Sequence, residues 1–300
     1  RVLRQFAEIA QTRSDAPMAE RCLHEAATLK QNLAEHAWDG HWWLRAFFDN
    51  GAPLGSAADT ECRLDSLPQS WSVLSGAGDP QRNQEALRGV EQLLVKPEAG
   101  LIELFDPPFD KTEHDPGYIR GYAPGVRENG GQYTHAAVWA AMAVAALGQG
   151  TKAWSWLNLL NPVAHTDTPE KAAIYQTEPY VLAGDVYARS PYTGRGGWTW
   201  YTGSAGWMYQ GILESLLGLK LEVDQLSFTP CWPETWASFQ VHYRYRETVY
   251  HITIFPHEQA VTQVRVDQTE QAEPRLHLLD DRREHWVEFR CPKSLPPPLG

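Results

Sequence analysis

The sequence is poor in cysteine, methionine and basic runs, and each shortage excludes a class of protein. It contains three methionines and four cysteines, which are Cys22, Cys62, Cys231 and Cys291. The cysteines are widely scattered and form no Cys-x-x-Cys motif, so neither a disulfide framework nor a zinc site is favoured. We therefore predict no metal ligands and a reducing, cytoplasmic location.

Long apolar stretches and positive charge are also missing. The formal net charge is −11 and no basic run occurs, which argues against a nucleic-acid partner. The longest apolar run, residues 136–147, is too short to span a bilayer, so we expect no membrane contact by this segment. No signal peptide is visible. The chain opens inside an amphipathic pattern without an initiator Met, and we expect a C-terminal fragment of a longer protein.

Aromatic residues are plentiful instead, with 13 Trp and 12 Tyr. Aromatic rings that carry a polar group suit both protein cores and surfaces that stack on sugars. We expect most of these rings to lie in the core.

The chain changes its hydrophobic period once, after Gly218. Before that point helical spacing dominates, and after it residues alternate as in antiparallel strands. Helices are predicted at 2–12, 16–38, 67–74, 80–95, 132–147, 151–160, 178–188 and 203–217. Helix pairs with long loops predict a mainly α fold with a β appendage: the later part of an (α/α)6 barrel (1–218), a small antiparallel β-sandwich domain (219–290) and a disordered Pro-rich tail (291–300).

The segment RENGGQYTHAAVWAAMAVAALG, residues 127–148, places polar residues at the entrance of a buried helix. Gly130 and Gly131 let backbone approach a ligand, and His135 lies in the first helical turn. Free N–H groups and the positive helix end there form an anion site. A first-turn histidine that hydrogen-bonds a neighbouring loop would give the same pattern, and the two interpretations are equally supported.

A second entrance follows in GGWTWYTGSAGWMYQG, residues 196–211. Thr202 and Gly203 begin another apolar helix and resemble a second cradle for an oxyanion. Helix capping uses the same residues. Trp200 is a candidate for sugar stacking or for the core.

Carboxylates and an amide mark a third segment, residues 59–76. Glu61 and Asp65 precede a helix in which Gln69 is a candidate sugar ligand, although helix capping is the more common role of such carboxylates. Together the three segments predict a carbohydrate site with an anion pocket. Glycoside hydrolysis needs two carboxylates, whereas phosphorolysis needs one acid and donors for phosphate. Two donor sites and no obvious carboxylate pair favour phosphorolysis.

Three long motifs carry a family resemblance. YAPGVRENGGQYTHAAVWA, EPYVLAGDVY and GRGGWTWYTGSAGWMY resemble those of the glycoside hydrolase family 94 phosphorylases, a family that includes cellobiose and chitobiose phosphorylases. The resemblance extends from about residue 1 to 289 and is strongest to the phosphorylase-like domains of cyclic β-1,2-glucan synthases. Parent proteins of that kind can be attached to the inner membrane through upstream segments.

The resemblance implies roles for particular residues. Phosphate, the co-substrate, would bind His135, Thr202 and Gly203, and Glu128 with the preceding Arg127 would bind sugar. No cofactor is implied. The expected reaction is inverting phosphorolysis of a β-linked gluco-oligosaccharide, which yields α-glucose 1-phosphate.

Two departures from the family pattern matter. The family's general acid is an Asp in a Gly-Asp-Trp-Asn-Asp type of motif, which is absent here. The catalytic acid is therefore unassigned, and the chain alone is expected to have little activity. Cellobiose phosphorylases carry a sugar-binding Gln where this chain has Gly184 before Asp185, which fits a β-1,2-glucan better than cellobiose.

Two other classes of function remain open. One is a non-catalytic glycan-binding or regulatory module. The other is an (α/α)6 hydrolase, for which Glu128 is the only local candidate for the second carboxylate. A homodimer could complete the site.

Overall fold

Residues 1–111 and 115–293 are described in a computed structural model of the chain. They form two compact units. The first, called here the helical unit, comprises Arg1–Ala143 and Trp156–Met208. The second, the β unit, comprises Val144–Ser155 and the described residues from Tyr209 onward.

Eight α-helices occur in the described part of the chain. They are α1 (Val2–Thr12), α2 (Ala16–His36), α3 (Ser66–Leu74), α4 (Pro80–Leu93), α5 (Thr134–Ala146), α6 (Gly150–Leu159), α7 (Pro169–Tyr175) and α8 (Thr202–Gln210). A π-helical stretch, Gly211–Leu216, follows α8, and Pro97–Ala99 and Gly117–Gly121 form short 3-10 helices. None of the helices within residues 1–111 and 115–293 is both long and apolar enough to cross a membrane.

Local chemistry explains where two of the helices begin. The Asp15 carboxylate accepts a hydrogen bond from the Met18 N–H at 3.2 Å, and the Asp79 carboxylate accepts from Gln81 and Arg82, both at 3.0 Å. A capping carboxylate satisfies N–H groups that the first helical turn leaves free. The helices α2 and α4 therefore start where their sequence predicts. The (α/α)6 barrel is not established by these eight helices and stays a prediction.

The predicted helix at 178–188 is wrong. Residues 185 and 186 instead form a short strand that pairs antiparallel with residues 132 and 133. Pro179 and Gly184 both disfavour a helix interior, and the N–H of Gly184 donates to the Trp198 carbonyl at 2.6 Å. A helix that was not predicted, α7, begins nearby with Thr168 as its cap.

Eight short strands form four antiparallel pairs among the described residues of the helical unit. They are β1 (Ala46–Phe47) with β2 (Pro53–Leu54), β3 (Leu64–Asp65) with β6 (Phe105–Asp106), β4 (Val95–Lys96) with β5 (Leu101–Ile102), and β7 (Gln132–Tyr133) with β8 (Asp185–Val186). The last pair matters most for function, because β7 leads directly into α5.

The described residues of the β unit form two sheets. One has the order β15 (Leu276–His277), β10 (Gln225–Phe228), β9 (Leu219–Glu222), and the other the order β11 (Phe239–Tyr245), β12 (Thr248–His257), β16 (Glu284–Pro292), β13 (Gln263–Val266), β14 (Thr269–Glu270). Leu226 and Phe228 of the first sheet share one apolar core with Ile254 and Phe289 of the second. β9 and β10 pair antiparallel and form a hairpin that turns at Val223 and Asp224.

Two features of the β unit correct the sequence analysis. β12 and β16 are parallel, so the larger sheet is mixed rather than antiparallel. The alternation of residues in β12 and β16 is compatible with parallel and with antiparallel pairing. Only the connection between the two strands determines their relative direction. Cys291 and Pro292, assigned above to the tail, belong to β16. Residues 294–300 of the predicted tail lie outside the described residues.

Candidate phosphate and sugar site

A tight turn precedes β7 and needs its glycines. A Cβ on Gly131 would lie 2.9 Å from the Arg127 nitrogen, and Gly130 has a φ of 78°, which L side chains rarely adopt. The buried Asn129 closes the turn, because its amide accepts from the Phe109 N–H at 2.8 Å and donates to the Phe109 carbonyl at 2.9 Å. The two glycines and the asparagine therefore shape the backbone of this turn, and the approach of a ligand to it stays a prediction.

The pairing of β7 with β8 fixes the start of α5. The Gln132 side chain accepts from the Ile102 N–H at 2.9 Å, and the Thr134 N–H donates to the Gly184 carbonyl at 3.0 Å. His135 follows as the second residue of α5. Its position is therefore set by a strand pair, a buried amide and a helix.

The His135 imidazole lies among aromatic rings. It stacks on Tyr133, with ring centroids 5.3 Å apart, and meets the edge of Trp139 at 6.1 Å. Its Nδ1 is buried and makes no hydrogen bond in the structure. Burial lowers the pKa of His135, which favours a neutral ring. Such a ring carries one N–H that can donate to an anion.

The two predicted anion sites, in residues 127–148 and residues 196–211, lie in contact with each other. A Cβ on Gly203 would lie 2.6 Å from Nε2 of His135, so the two segments are in direct contact. Thr202 is the first residue of α8, and one turn further on Trp207 packs edge-on against Trp139 with centroids 5.5 Å apart. The N-terminal turns of α5 and α8 thus converge at one point. A first helical turn leaves N–H groups without intrahelical partners, and in α5 the Thr134 N–H is already bonded to the Gly184 carbonyl.

Asp185 ties these two segments together and was not predicted as a site residue. It pairs with Tyr133 in the β7–β8 ladder, and its Oδ1 accepts from the Trp198 N–H at 2.8 Å. It is 2% exposed and its Oδ2 has no hydrogen-bond partner in the structure. Burial raises its pKa, although the Trp198 N–H and Arg127 oppose that rise. Asp185 and Glu128 are therefore two carboxylates beside Tyr133, the residue on which His135 stacks.

The predicted sugar ligands Arg127 and Glu128 lie beside Tyr133. Burial raises the Tyr133 pKa, and the charge of Glu128 adds to the rise while that of Arg127 opposes it. The Arg127 guanidinium lies 4.2 Å above the Trp198 ring and 3.9 Å from the Glu128 carboxylate. Oε2 of Glu128 is buried without a hydrogen-bond partner in the structure. Both side chains are about one fifth exposed, so a ligand can reach them.

Gln69 has a structural role, and its predicted sugar contact is corrected here. It is fully buried, and its amide accepts from the Trp43 N–H at 2.9 Å and donates to the carbonyls of Trp43 and Asp65. Both N–H donors of the amide are used by backbone carbonyls, and the buried side chain offers no surface to a sugar. Trp200, in contrast, is 66% exposed, and its Nε1 donates to Oε1 of Glu178 at 2.9 Å.

Tyr133, Trp139 and Asp185 are the site residues that the sequence analysis missed. Tyr133 and Trp139 stand two residues before and four residues after His135, a spacing that places Trp139 on the same helical face. That signal was available in the sequence. Asp185 gave none, because its pairing with Tyr133 joins residues that are distant in the chain.

Comparison with known proteins supports the motif resemblance. Residues 1–218 match the family described as "Glycosyl hydrolase 94 superfamily, catalytic domain". The chain belongs to this family. Residues 219–270 match a second description, "Glycosyl hydrolase family 65, C-terminal domain". The resemblance to family 94 drawn from the three motifs is thereby confirmed.

The family 94 relatives include a synthase and several phosphorylases. The chain is 44% identical over 252 residues to the cyclic β-(1,2)-glucan synthase NdvB of Rhizobium meliloti (84% of this chain, 9% of that protein). It is 31% identical over 255 residues to the N,N′-diacetylchitobiose phosphorylase of Vibrio furnissii (84% and 31%). It is 28% identical over 254 residues to the solabiose phosphorylase of Paenibacillus borealis (84% and 32%). The chain therefore spans at most 32% of the length of these family 94 relatives.

Proposed function

We propose that the helical unit forms the phosphate- and sugar-binding side of an inverting glycoside phosphorylase site. The observation that carries the proposal is the contact between Gly203 and the His135 imidazole, which joins two helix N-termini at one point. Family membership supports it, because relatives of this chain are phosphorylases by name.

Phosphate would bind where α5 and α8 converge. The His135 ring donates one N–H, the Thr202 hydroxyl donates another hydrogen bond, and the backbone N–H groups of the first turn of α8 complete the cradle. The positive ends of two helix dipoles favour the same anion. Gly203 is needed because a side chain there would displace the imidazole.

The bound phosphate then attacks the anomeric carbon of a β-linked glucosyl unit. The bond from this carbon to the glycosidic oxygen breaks, a bond to a phosphate oxygen forms on the opposite face, and a general acid protonates the leaving oxygen. The products are α-glucose 1-phosphate and an oligosaccharide shorter by one unit. Glu128 and Arg127 would hold hydroxyl groups of the glucosyl unit.

We propose a β-1,2-linked glucan as the substrate. Support comes from the 44% identity to a protein named as a cyclic β-(1,2)-glucan synthase. Gly184 supports it further, because this chain has no side chain where cellobiose phosphorylases carry a sugar-binding Gln, and an added Cβ would lie in tight contact, 3.3 Å from the Trp198 carbonyl oxygen. The general acid would be an aspartate outside this sequence, in the longer protein, which we place in the cytoplasm.

The proposal is tested first through phosphate binding by the chain itself. His135→Gln and Gly203→Ala are expected to weaken inorganic phosphate binding about tenfold to hundredfold, the effect of losing a hydrogen bond to a charged group. Isothermal titration measures the affinity, and thermal melting confirms folding. His165→Gln is the matched control, because the His165 ring is partly buried in the same unit but already bonded to the Leu159 carbonyl at 2.7 Å. Equal affinity in all four proteins would refute the phosphate assignment.

A glycan-binding module is the second candidate, because exposed rings such as Trp200 suit sugar binding without chemistry. The two functions separate in the longest natural polypeptide that contains this chain. That protein is incubated with β-1,2-gluco-oligosaccharides, with and without phosphate, and glucose 1-phosphate is measured. Phosphate-dependent product that disappears in the His135→Gln protein supports the phosphorylase. Glycan binding without product supports the module.

A further inference from the structure

We infer a second glycan subsite on the helical unit, next to the phosphate cradle. It is a surface depression lined by Gln176, Thr177, Glu178, Arg195 and Thr199, with the Trp200 indole bonded to the Glu178 carboxylate at its side. The inference rests on the proposed function, because the subsite would bind units of the same oligosaccharide beyond the one that phosphate attacks.

The aromatic part of the subsite consists of two exposed rings. Trp200 is 66% exposed and Tyr180 is 74% exposed, and their centroids lie 6.2 Å apart at an interplanar angle of 69°. Rings of this size are normally buried, because each one removes a large apolar area from water. Because the two rings meet edge-on, the C–H face of a pyranose can stack on the exposed face of Trp200, with the Tyr180 ring at its side.

One hydrogen bond orients the exposed Trp200 indole. Its Nε1 donates to Oε1 of Glu178 at 2.9 Å. A ring that is already oriented loses little freedom on binding, which favours recognition of a ligand.

The polar part of the subsite matches sugar hydroxyls. The pKa of Glu178 is lowered by its own backbone N–H and by the Trp200 indole N–H, so the carboxylate is an ionised acceptor at neutral pH. Arg195 supplies donors only, and Gln176 supplies both kinds of group. One carboxylate and one guanidinium leave no net charge among the lining residues. A neutral glycan therefore fits better than an anion.

The chain itself limits the distance to the phosphate cradle. Three peptide links separate Trp200 from Gly203, which spans at most about 11 Å. The depression also includes Gly197, whose Cα faces the Asp185 carboxylate, and Asp185 pairs with Tyr133 beside His135. The subsite is thus built on the same loop as the cradle and lies within reach of a neighbouring sugar of one bound chain.

The test compares oligosaccharides of two lengths. Affinities of the intact chain for a β-1,2-linked glucose disaccharide and pentasaccharide are measured by titration, for the natural sequence and for Trp200→Ala and Glu178→Gln. We expect the pentasaccharide to bind more tightly than the disaccharide. We also expect each variant to weaken pentasaccharide binding about two- to tenfold, the range of a single aromatic or polar contact, with phosphate affinity unchanged. Trp286→Ala is the matched control, because that tryptophan is 62% exposed on the β unit.

Each other result overturns the inference. Equal pentasaccharide affinity in Trp200→Ala and Trp286→Ala would exclude the subsite, and so would failure of the natural chain to bind the pentasaccharide at all. An Arg195→Gln variant that loses affinity for phosphate but keeps its affinity for the glycan would show that the depression is an anion site. Phosphate binding is tested separately with the His135→Gln variant, so a negative glycan result would exclude the subsite without refuting the proposed function.

Discussion

In the helical unit, Glu128, His135 and Asp185 each keep a buried side-chain atom without a hydrogen-bond partner, whereas no buried side-chain atom of this kind occurs among the described residues of the β unit. His285 of the β unit lies between two carboxylates, 2.6 Å from Asp267 and 3.2 Å from Asp281. Among the residues that the structure describes, every buried side-chain atom without a partner belongs to residues 61–185. The difference indicates a binding role for polar side chains of the helical unit and a structural role for those of the β unit.

The difference has an energetic meaning. A buried polar atom without a hydrogen bond costs about 1–3 kcal/mol, so proteins keep few of them. Glu128 and His135 belong to the segment 127–135, and Asp185 pairs with it through Tyr133. We expect a ligand bound beside Glu128 and His135 to supply hydrogen-bond partners that the chain itself lacks. The β unit has no such arrangement in its described residues, and we expect it to contribute stability rather than binding.

The largest expected effect separates stability from binding. Phe289→Ala removes a fully buried ring that packs against Phe228 at a centroid distance of 4.9 Å in the core of the β unit. The free energy of unfolding of that unit should fall by about 3–5 kcal/mol. Phosphate affinity, measured by titration at a temperature where the protein is folded, should stay unchanged because no predicted phosphate ligand lies there. Trp286→Ala, an exposed change on the same strand, serves as the control.

A weakened phosphate affinity in folded Phe289→Ala protein would contradict this division. It would mean that the β unit takes part in binding as well as in stability.

The second largest expected effect concerns Asp65 of the helical unit, a buried carboxyl group that has a hydrogen-bond donor and a guanidinium as partners. Its Oδ1 accepts from the Leu67 N–H at 2.8 Å, and Arg45 lies 3.3 Å from its Oδ2. Burial nevertheless raises its pKa from the ordinary 3.8 to about 6, against the effects of Arg45 and Leu67. A carboxyl whose pKa is raised on folding stabilises the protein at low pH and loses that contribution as the pH rises from about 4 to about 6.

Asp65→Asn should remove this dependence. Relative to the variant, the natural protein should lose on the order of 3 kcal/mol of unfolding free energy between pH 4 and pH 6.5. Urea unfolding at several pH values measures the difference. Asp79→Asn, which changes the exposed cap of α4, controls for the loss of a capping carboxylate. A difference that does not vary with pH would show that Asp65 is ionised as easily as in the unfolded chain.

Much of the local structure was predictable, because it depends on neighbouring residues. The caps Asp15 and Asp79 and the change of period after Gly218 all act within a few residues of one another. The parallel pairing of β12 with β16 was not predictable, because strand direction depends on a connection of 26 residues (258–283) that alternation does not reveal. The helix predicted at 178–188 failed for a similar reason, since β8 forms only by pairing with distant β7.

The candidate site was likewise predictable only in part. The chemistry of His135, Thr202 and Gly203 was read from helix N-terminal patterns and from family motifs, and the structure adds the contact between Gly203 and the imidazole. Gln69 shows the limit of such reading. An amide before a core helix suits a sugar or a backbone equally well, and only the fold shows that the Trp43 backbone occupies it.

The smallest expected effect concerns His285, the histidine of the β unit that lies between the carboxylates of Asp267 and Asp281. Burial lowers the pKa of His285, but hydrogen bonds to Asp267 and Asp281 outweigh it, so the pKa is raised overall. A histidine whose pKa is raised on folding stabilises the protein below its unfolded pKa of about 6.5 and loses that contribution as the pH rises through the folded value. His285→Gln should therefore cost stability at pH 6 and less at pH 8.5, by under about 1 kcal/mol because surface ion pairs are weak. Unfolding free energies of both proteins at the two pH values measure this, and phosphate affinity should not change. An equal cost at both pH values would mean that His285 acts only through its stacking on Tyr250, 5.2 Å away, and the β unit would then be stabilised by packing rather than by charge.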